Sequence, residues 1–184
     1  MASVLIPIAE GCEELEAVTI MDLLVRAGIN VVSAGLRAGP VTCSRGTVII
    51  PSTTLEQALK QDYDMVVLPG GLPGADHLDN DERIQSLLKA MAESEKFTAA
   101  ICAAPKVLAS AGLLKDKKAT SYPGVIDKMN IAGMTYENSA VVTDGKVVTS
   151  RGPGTAMDFA LHLITLLCGQ QKSDEVAAGL ERMS

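Results

Sequence analysis

The sequence has no tryptophan and, over 184 residues, only two phenylalanines and three tyrosines. So few aromatic rings provide no stacking platform for single-stranded nucleic acid. Basic runs are also missing and the net charge is −6, which argues against a nucleic-acid partner held through phosphates. There are only two histidines, His77 and His162, far apart, and the cysteines Cys12, Cys43, Cys102 and Cys168 include no CxxC pair. A zinc site would need ligands from four separate segments, so no metal is expected. No apolar run is long enough to span a membrane, and no basic segment precedes the apolar Val4–Ile8 run. Neither a signal peptide nor a membrane partner is therefore expected. The default location is the cytoplasm, where unpaired thiols are ordinary.

What is present is a globular composition, 47% hydrophobic and 21% charged, of a length that suits a single domain over residues 1–184. Apolar runs of strand length alternate with helical segments. Val4 to Ile8 is followed by a helix from about Glu13 to Ala27, closed by Gly28, and then by a strand at Ile29 to Ala34. Tyr63 to Leu68 and Phe97 to Ile101 are further buried strands. Helices at Asp81–Ser94, with Ile84, Leu87, Leu88 and Met91 on one face, and at Ala104–Ala111 follow them. This alternation predicts an α/β fold, a flavodoxin-like open parallel sheet sandwiched by helices. Val41-Thr42 and Thr47–Ile50 are expected to pair as short extended pieces, and Asp144-Gly145 marks a hairpin. Leu72 to Asn80 reads as an irregular loop. Thr155, with Asp158 three residues on, reads as the capped start of a helix. Ser173 reads as the cap of a last helix striped by Val176, Leu180 and Met183.

The chemistry gathers around Phe97-Thr98-Ala99-Ala100-Ile101-Cys102-Ala103-Ala104-Pro105. Alanines two before and two after Cys102 match the small-x-nucleophile-x-small pattern of a strand-to-helix elbow. Pro105 suits the first turn of the next helix, and a helix N-terminus would lower the thiol pKa. In open α/β sheets, ligands bind beyond the carboxyl ends of the strands. That rule places Cys102, Gly70, Gly71, Glu13, Glu14 and Glu16 on one rim. On the first helix Thr19, Asp22 and Arg26 share the polar face, whereas Glu16 falls on the apolar arc between Leu23 and Ala27. A carboxylate there needs a partner or a raised pKa, which makes Glu16 the expected partner of the Cys102 sulfur. Glu13 and Glu14 suit a simple role on the helix dipole. The amides at Gly70, Gly71 and Ala103 are candidates for an oxyanion hole. Gly152-Pro153-Gly154 lacks the third small residue of a dinucleotide loop, so no cofactor is expected. His77 reads as a solvated loop residue and His162 as a packing or surface residue, which leaves no Cys-His pair. Cys12, close in sequence to Glu16, is either a resolving thiol or an incidental loop cysteine.

Six segments carry a resemblance: Glu13-Glu14-Leu15-Glu16, Arg26-Ala27-Gly28, Cys43-Ser44-Arg45, Val67–Gly71, Ala99–Pro105 and Thr149–Thr155. Through them the chain resembles the ThiJ/PfpI superfamily, in the DJ-one-like branch of the Parkinson-associated deglycase, over nearly its whole length. The resemblance implies a homodimer, a reactive and oxidisable Cys102 hydrogen-bonded by Glu16, and amides of Gly71 and Ala103 around the pocket. It also implies that Arg26 and Arg45 lie near the site and the dimer contact. Many relatives carry His-Pro where this chain has Tyr122-Pro123. An ordinary tyrosine is protonated at neutral pH, so a general base is lost there and peptide hydrolysis is disfavoured. Two functions remain. One is a cofactor-independent glyoxalase or deglycase acting on methylglyoxal-type 2-oxoaldehydes or their adducts. The other is a redox sensor or chaperone in which Cys102 is oxidised to sulfinic acid without turnover.

Overall fold

The computed structural model describes residues 1–181. β1 (Ser3–Ile8), α1 (Glu14–Arg26) and β2 (Asn30–Gly35) form the first parallel crossover. The small antiparallel hairpin of β3 (Val41–Thr42) and β4 (Val48–Ile49) leads to β5 (Thr53–Thr54) and the single turn α2 (Leu55–Ala58). Next come β6 (Met65–Leu68), α3 (Gly74–Asp79), α4 (Glu82–Glu93), β7 (Phe97–Ile101) and α5 (Pro105–Ser110). A minor pair, β8 (Lys118–Ala119) with β9 (Thr135–Tyr136), precedes the hairpin of β10 (Val141–Asp144) and β11 (Val147–Ser150). Helices α6 (Ala156–Cys168) and α7 (Gln170–Ala178) follow.

The main sheet has seven strands in the order β10-β11-β7-β6-β1-β2-β5, parallel throughout except for β10. Without the edge pieces β5 and β10, the order is second, first, third, fourth, fifth strand. That is the flavodoxin-like arrangement the sequence predicts, with its switch point between β1 and β6. The central strands β1 and β6 are apolar almost throughout because both faces are covered. Val4, Ile6, Ile8, Val67 and Ile101 meet one layer, in which α1 packs on α6 through Ile20, Leu24, Phe159 and Leu163. Leu5, Val66, Leu68 and Ala100 meet the other, built by Leu55, Ile84, Leu88, Val107 and Leu108. The expected pairing of Val41-Thr42 with the following segment and the hairpin at Asp144-Gly145 are both present. No helix among the described residues is long and apolar enough to cross a membrane.

Three local expectations are corrected. The stretch read as a loop from Leu72 contains α3, whose Ala75 and Leu78 are buried. It is six residues long and preceded by Pro73 with no side-chain cap, too short and too poor in start signals for periodicity to reveal. Thr155 does not cap α6. Its hydroxyl lies 2.7 Å from Ser150 Oγ and donates to the Gly152 carbonyl at 3.0 Å, tying the loop to the end of β11. The last helix starts at Gln170 rather than Ser173, and Ser173 Oγ donates to the Leu161 carbonyl at 2.9 Å to dock it on α6. Val176 is buried as expected, while Met183 lies outside the described residues.

Candidate active site

Cys102 follows directly after β7 with a φ of +64°, a conformation that costs a non-glycine residue about 1–3 kcal/mol. Neighbouring backbone holds it there. Its N–H donates to the Ser150 carbonyl at 3.0 Å, and its own carbonyl accepts from Tyr122 N–H at 2.8 Å. Cys102 thus lies in the turn between β7 and α5. The turn is lined by Ala103 and Ala104, and Pro105 opens α5.

Glu16 reaches the same point from α1. The helix is long enough to be fixed by Ala17, Ile20, Leu23 and Leu24, all buried at three- and four-residue spacing. Glu16 lies on that buried stripe and is fully inaccessible. One carboxylate oxygen, Oε2, accepts from Gly70 N–H at 2.8 Å, while Oε1 is buried without a hydrogen-bond partner. Gly70 is the hinge-pin of the arrangement. A Cβ there would stand 2.6 Å from Cys102 Cβ and 2.8 Å from Glu16 Oε2, so only glycine lets the loops after β6 and β7 meet α1 this closely.

Burial pushes the Glu16 carboxyl up to about 7, against the Gly70 N–H that favours its ionised form. Burial pushes the Cys102 thiol up to about 12, and the negative charge of Glu16 pushes it the same way, while the amides of Gly71 and Ala103 favour thiolate. The expectation of a thiol lowered by its helix is overturned. The helix that follows has six residues, and a desolvated sulfur beside a carboxylate outweighs so short a dipole. The two groups titrate as a pair. Glu16 gives up its proton before Cys102 does, so the singly protonated pair is a carboxylate beside a thiol.

Of the other predicted residues, Tyr122 sits at the rim, 52% exposed, with its ring close to Gly152. Arg26 is in the last turn of α1, exposed and paired with Asp22 at 2.8 Å. It lies ten residues beyond Glu16, roughly 15 Å along the helix, so within this chain it is remote from the sulfur. Arg45 is exposed at the tip of the β3–β4 hairpin. Its contribution is its backbone N–H, which donates to Glu14 at 3.1 Å.

Glu13 and Glu14 do more than complement a dipole. Glu13 accepts from the Glu16 amide at 2.8 Å, so it caps the helix and fixes the residue that meets the cysteine. Glu14 clamps the hairpin through Ser44 Oγ and the amides of Arg45 and Thr47. Desolvation opposes its ionisation, yet hydrogen bonds from its own amide, Arg45 and Thr47 hold its carboxyl down at about 2. The sequence reading also missed the neighbour of Cys12. That cysteine is fully buried, and its sulfur lies 3.4 Å from Cys43 Sγ. The two are 31 residues apart, and no local signal connects them. His77 is exposed, with Nδ1 3.0 Å from the Glu10 carbonyl, and His162 Nε2 is 2.7 Å from Thr143 Oγ1.

The chain as a whole has known relatives. Protein dj-1beta of Drosophila melanogaster is 43% identical over 179 residues, covering 97% of this chain and 96% of that protein. The glutathione-independent glyoxalase DJR-1.2 of Caenorhabditis elegans is 37% identical over 175 residues, covering 95% and 92%. The crystal structure of Drosophila melanogaster DJ-1beta superposes with a TM-score of 0.93 at 42% identity, covering 100% of this chain and 99% of the other. Residues 2–166, which hold the Glu16–Gly70–Cys102 cluster and both halves of its supporting sheet, match the DJ-1/PfpI family; to that family the chain belongs.

Proposed function

We propose that this protein is a cysteine-dependent, cofactor-independent glyoxalase or deglycase acting on methylglyoxal-type 2-oxoaldehydes or their adducts. The observation that carries this reading is the buried Glu16 carboxyl, which Gly70 N–H holds at 2.8 Å on the loop that packs against Cys102. A glyoxalase among the relatives supports it. The Cys102 sulfur adds to the aldehyde carbon, and its proton passes through Glu16 to the new oxyanion, giving a hemithioacetal. Glu16, again a carboxylate, removes the C1 proton and returns it to C2 while the C1 hydroxyl proton passes to the C2 oxygen, converting the adduct into a thioester of the 2-hydroxy acid. Water then cleaves the thioester, releasing lactate and restoring the thiol. A buried base near pH 7 suits this shuttle, because proton transfer is most efficient when the base titrates close to the working pH.

Purified protein incubated with methylglyoxal should release lactate. The base must be ionised, and its pKa is raised to about 7. The rate kcat/KM should therefore be full above pH 7 and fall about tenfold per unit below it. No lactate above a Cys102→Ala control would end the proposal, and a rate flat from pH 5 to 8 would remove Glu16 from the base role.

A second reading rests on the unpartnered Glu16 Oε1. If peroxide converts Cys102 to a sulfinate, a protonated Glu16 has a free oxygen from which to donate to it, and the sulfur amides hold the anion. Mass spectrometry after mild peroxide should then show Cys102 gaining two oxygens ahead of Cys168, although Cys168 is the exposed thiol. Equal oxidation of the two would refute selective sensing.

We also propose a homodimer. Leu15, Val18 and Val25 form an exposed stripe on α1, and Val48 and Ile50 extend the exposed apolar surface on the adjoining hairpin. Apolar surface of this kind marks an interface. Sedimentation at micromolar concentration should give twice the chain mass, and a monomer would contradict the assignment.

A further inference from the structure

We propose that Cys12 and Cys43 form a second thiol site, separate from Cys102, which a peroxide closes into an intramolecular disulfide. The two sulfurs are already in contact at 3.4 Å. Their backbones run side by side, with Gly11 N–H donating to the Thr42 carbonyl and Ser44 N–H to the Cys12 carbonyl, both at 2.8 Å. Chains paired in this way stand about 5 Å apart, inside the Cα separations that disulfides occupy. A bond of about 2.05 Å therefore requires the sulfurs to approach by about 1.4 Å, a movement within reach of side-chain rotation while both hydrogen bonds stay in place.

Glu14 keeps this register. It grips Ser44, Arg45 and Thr47, so the hairpin that carries Cys43 cannot drift from the loop that carries Cys12. The site is quiet in the absence of oxidant, because burial raises both thiols and leaves them protonated at neutral pH. Cys43 is the entry point, since it is 5% exposed and Cys12 is 0%. Its sulfur attacks one peroxide oxygen and the O–O bond breaks, giving a sulfenic acid and one water from hydrogen peroxide. The Cys12 sulfur then attacks the sulfenic sulfur. The S–S bond forms, the S–O bond breaks, and the leaving hydroxide takes the Cys12 proton as a second water. Two thiols are oxidised by two electrons in all, and one peroxide is reduced. Proximity makes the second step intramolecular and fast. The disulfide would bond the β3–β4 hairpin covalently to the segment that carries the Glu13 cap and Glu16.

The test uses the full chain carrying Cys102→Ala, which removes the thiol of the proposed active site and so separates this inference from that one. After hydrogen peroxide, alkylation of free thiols and trypsin without reductant, peptide 1–26 should be found linked to peptide 38–45, at two hydrogen masses below their sum. Reductant should separate them. Cys12→Ser and Cys43→Ser should each abolish the link and leave the remaining cysteine oxidised to sulfenic or sulfinic acid, or alkylated. Unlinked peptides in the Cys102→Ala protein, with Cys43 carrying oxygens and Cys12 alkylated, would overturn the proposal. So would a link from Cys12 to Cys168.

Discussion

Replacing Glu16 with glutamine should lower lactate formation from methylglyoxal by about a thousandfold, and Cys102→Ala should abolish it. A positioned general base contributes about 10²–10⁴-fold, and Cys102→Ala removes the proposed nucleophile outright. Glutamine keeps the Glu16 contact that is structural, since its carbonyl can still accept from Gly70 N–H at the present 2.8 Å. Loss of turnover without loss of fold is therefore expected. Stability against pH separates the two roles. The Glu16 pKa is raised from 4.5 to about 7 in the folded state, so the folded chain binds the proton more tightly than the unfolded chain does. The associated stability is fully present below about pH 4.5 and is lost as the pH rises through about 7. A shift of this size corresponds to roughly 3 kcal/mol. Urea unfolding at pH 5 and pH 8 should show the native chain losing about that much and the Glu16→Gln chain almost none of it. Equal losses in both chains would mean that Glu16 is not the buried acid described above.

Gly71→Ala should cost about 3 kcal/mol or more, lowering Tm by about 6–12 °C. A Cβ at Gly71 would stand 2.4 Å from Glu13 N and 2.6 Å from the Gly11 carbonyl oxygen, both backbone atoms, at a φ of +88°. Gly28 provides the comparison. Its φ is +78°, but a Cβ there meets nothing within 4 Å, so Gly28→Ala should cost only the backbone term, about 1 kcal/mol. Thermal unfolding of the two variants measures the difference. Similar Tm values would mean that the close approach of the β6 and β1 loops carries no energy. Gly71→Ala should also slow turnover more than its stability loss explains, because the displaced amide is one of the two that favour the Cys102 thiolate.

Much of this architecture is readable in the residue order because a parallel sheet covered on both faces needs strands that are apolar throughout. Val4–Ile8, Met65–Leu68 and Phe97–Ile101 announce themselves for that reason. Glu16 is readable for a related reason: a charged residue on an otherwise apolar helical stripe has to be answered by something buried. The direction of the cysteine's pKa is not readable. It depends on how closely Gly70 and α1 pack around the sulfur, and local pattern supplies only the competing helix end. The remoteness of Arg26 follows from its place in the last turn of α1, which a match of residues does not measure. The Cys12–Cys43 contact and the Glu14 clamp arise because a hairpin folds back over the first loop, and that geometry leaves no periodicity in the chain.

The loops after β1, β6 and β7 are distant in sequence, and the reactive pair exists only when all three have come together. Until then Cys102 is an ordinary thiol, ionising near 8.5 and open to any electrophile. Completion of the fold buries it to 9% exposure beside a carboxylate. Acquiring tertiary structure thus withdraws this sulfur from bulky electrophiles as the chain folds.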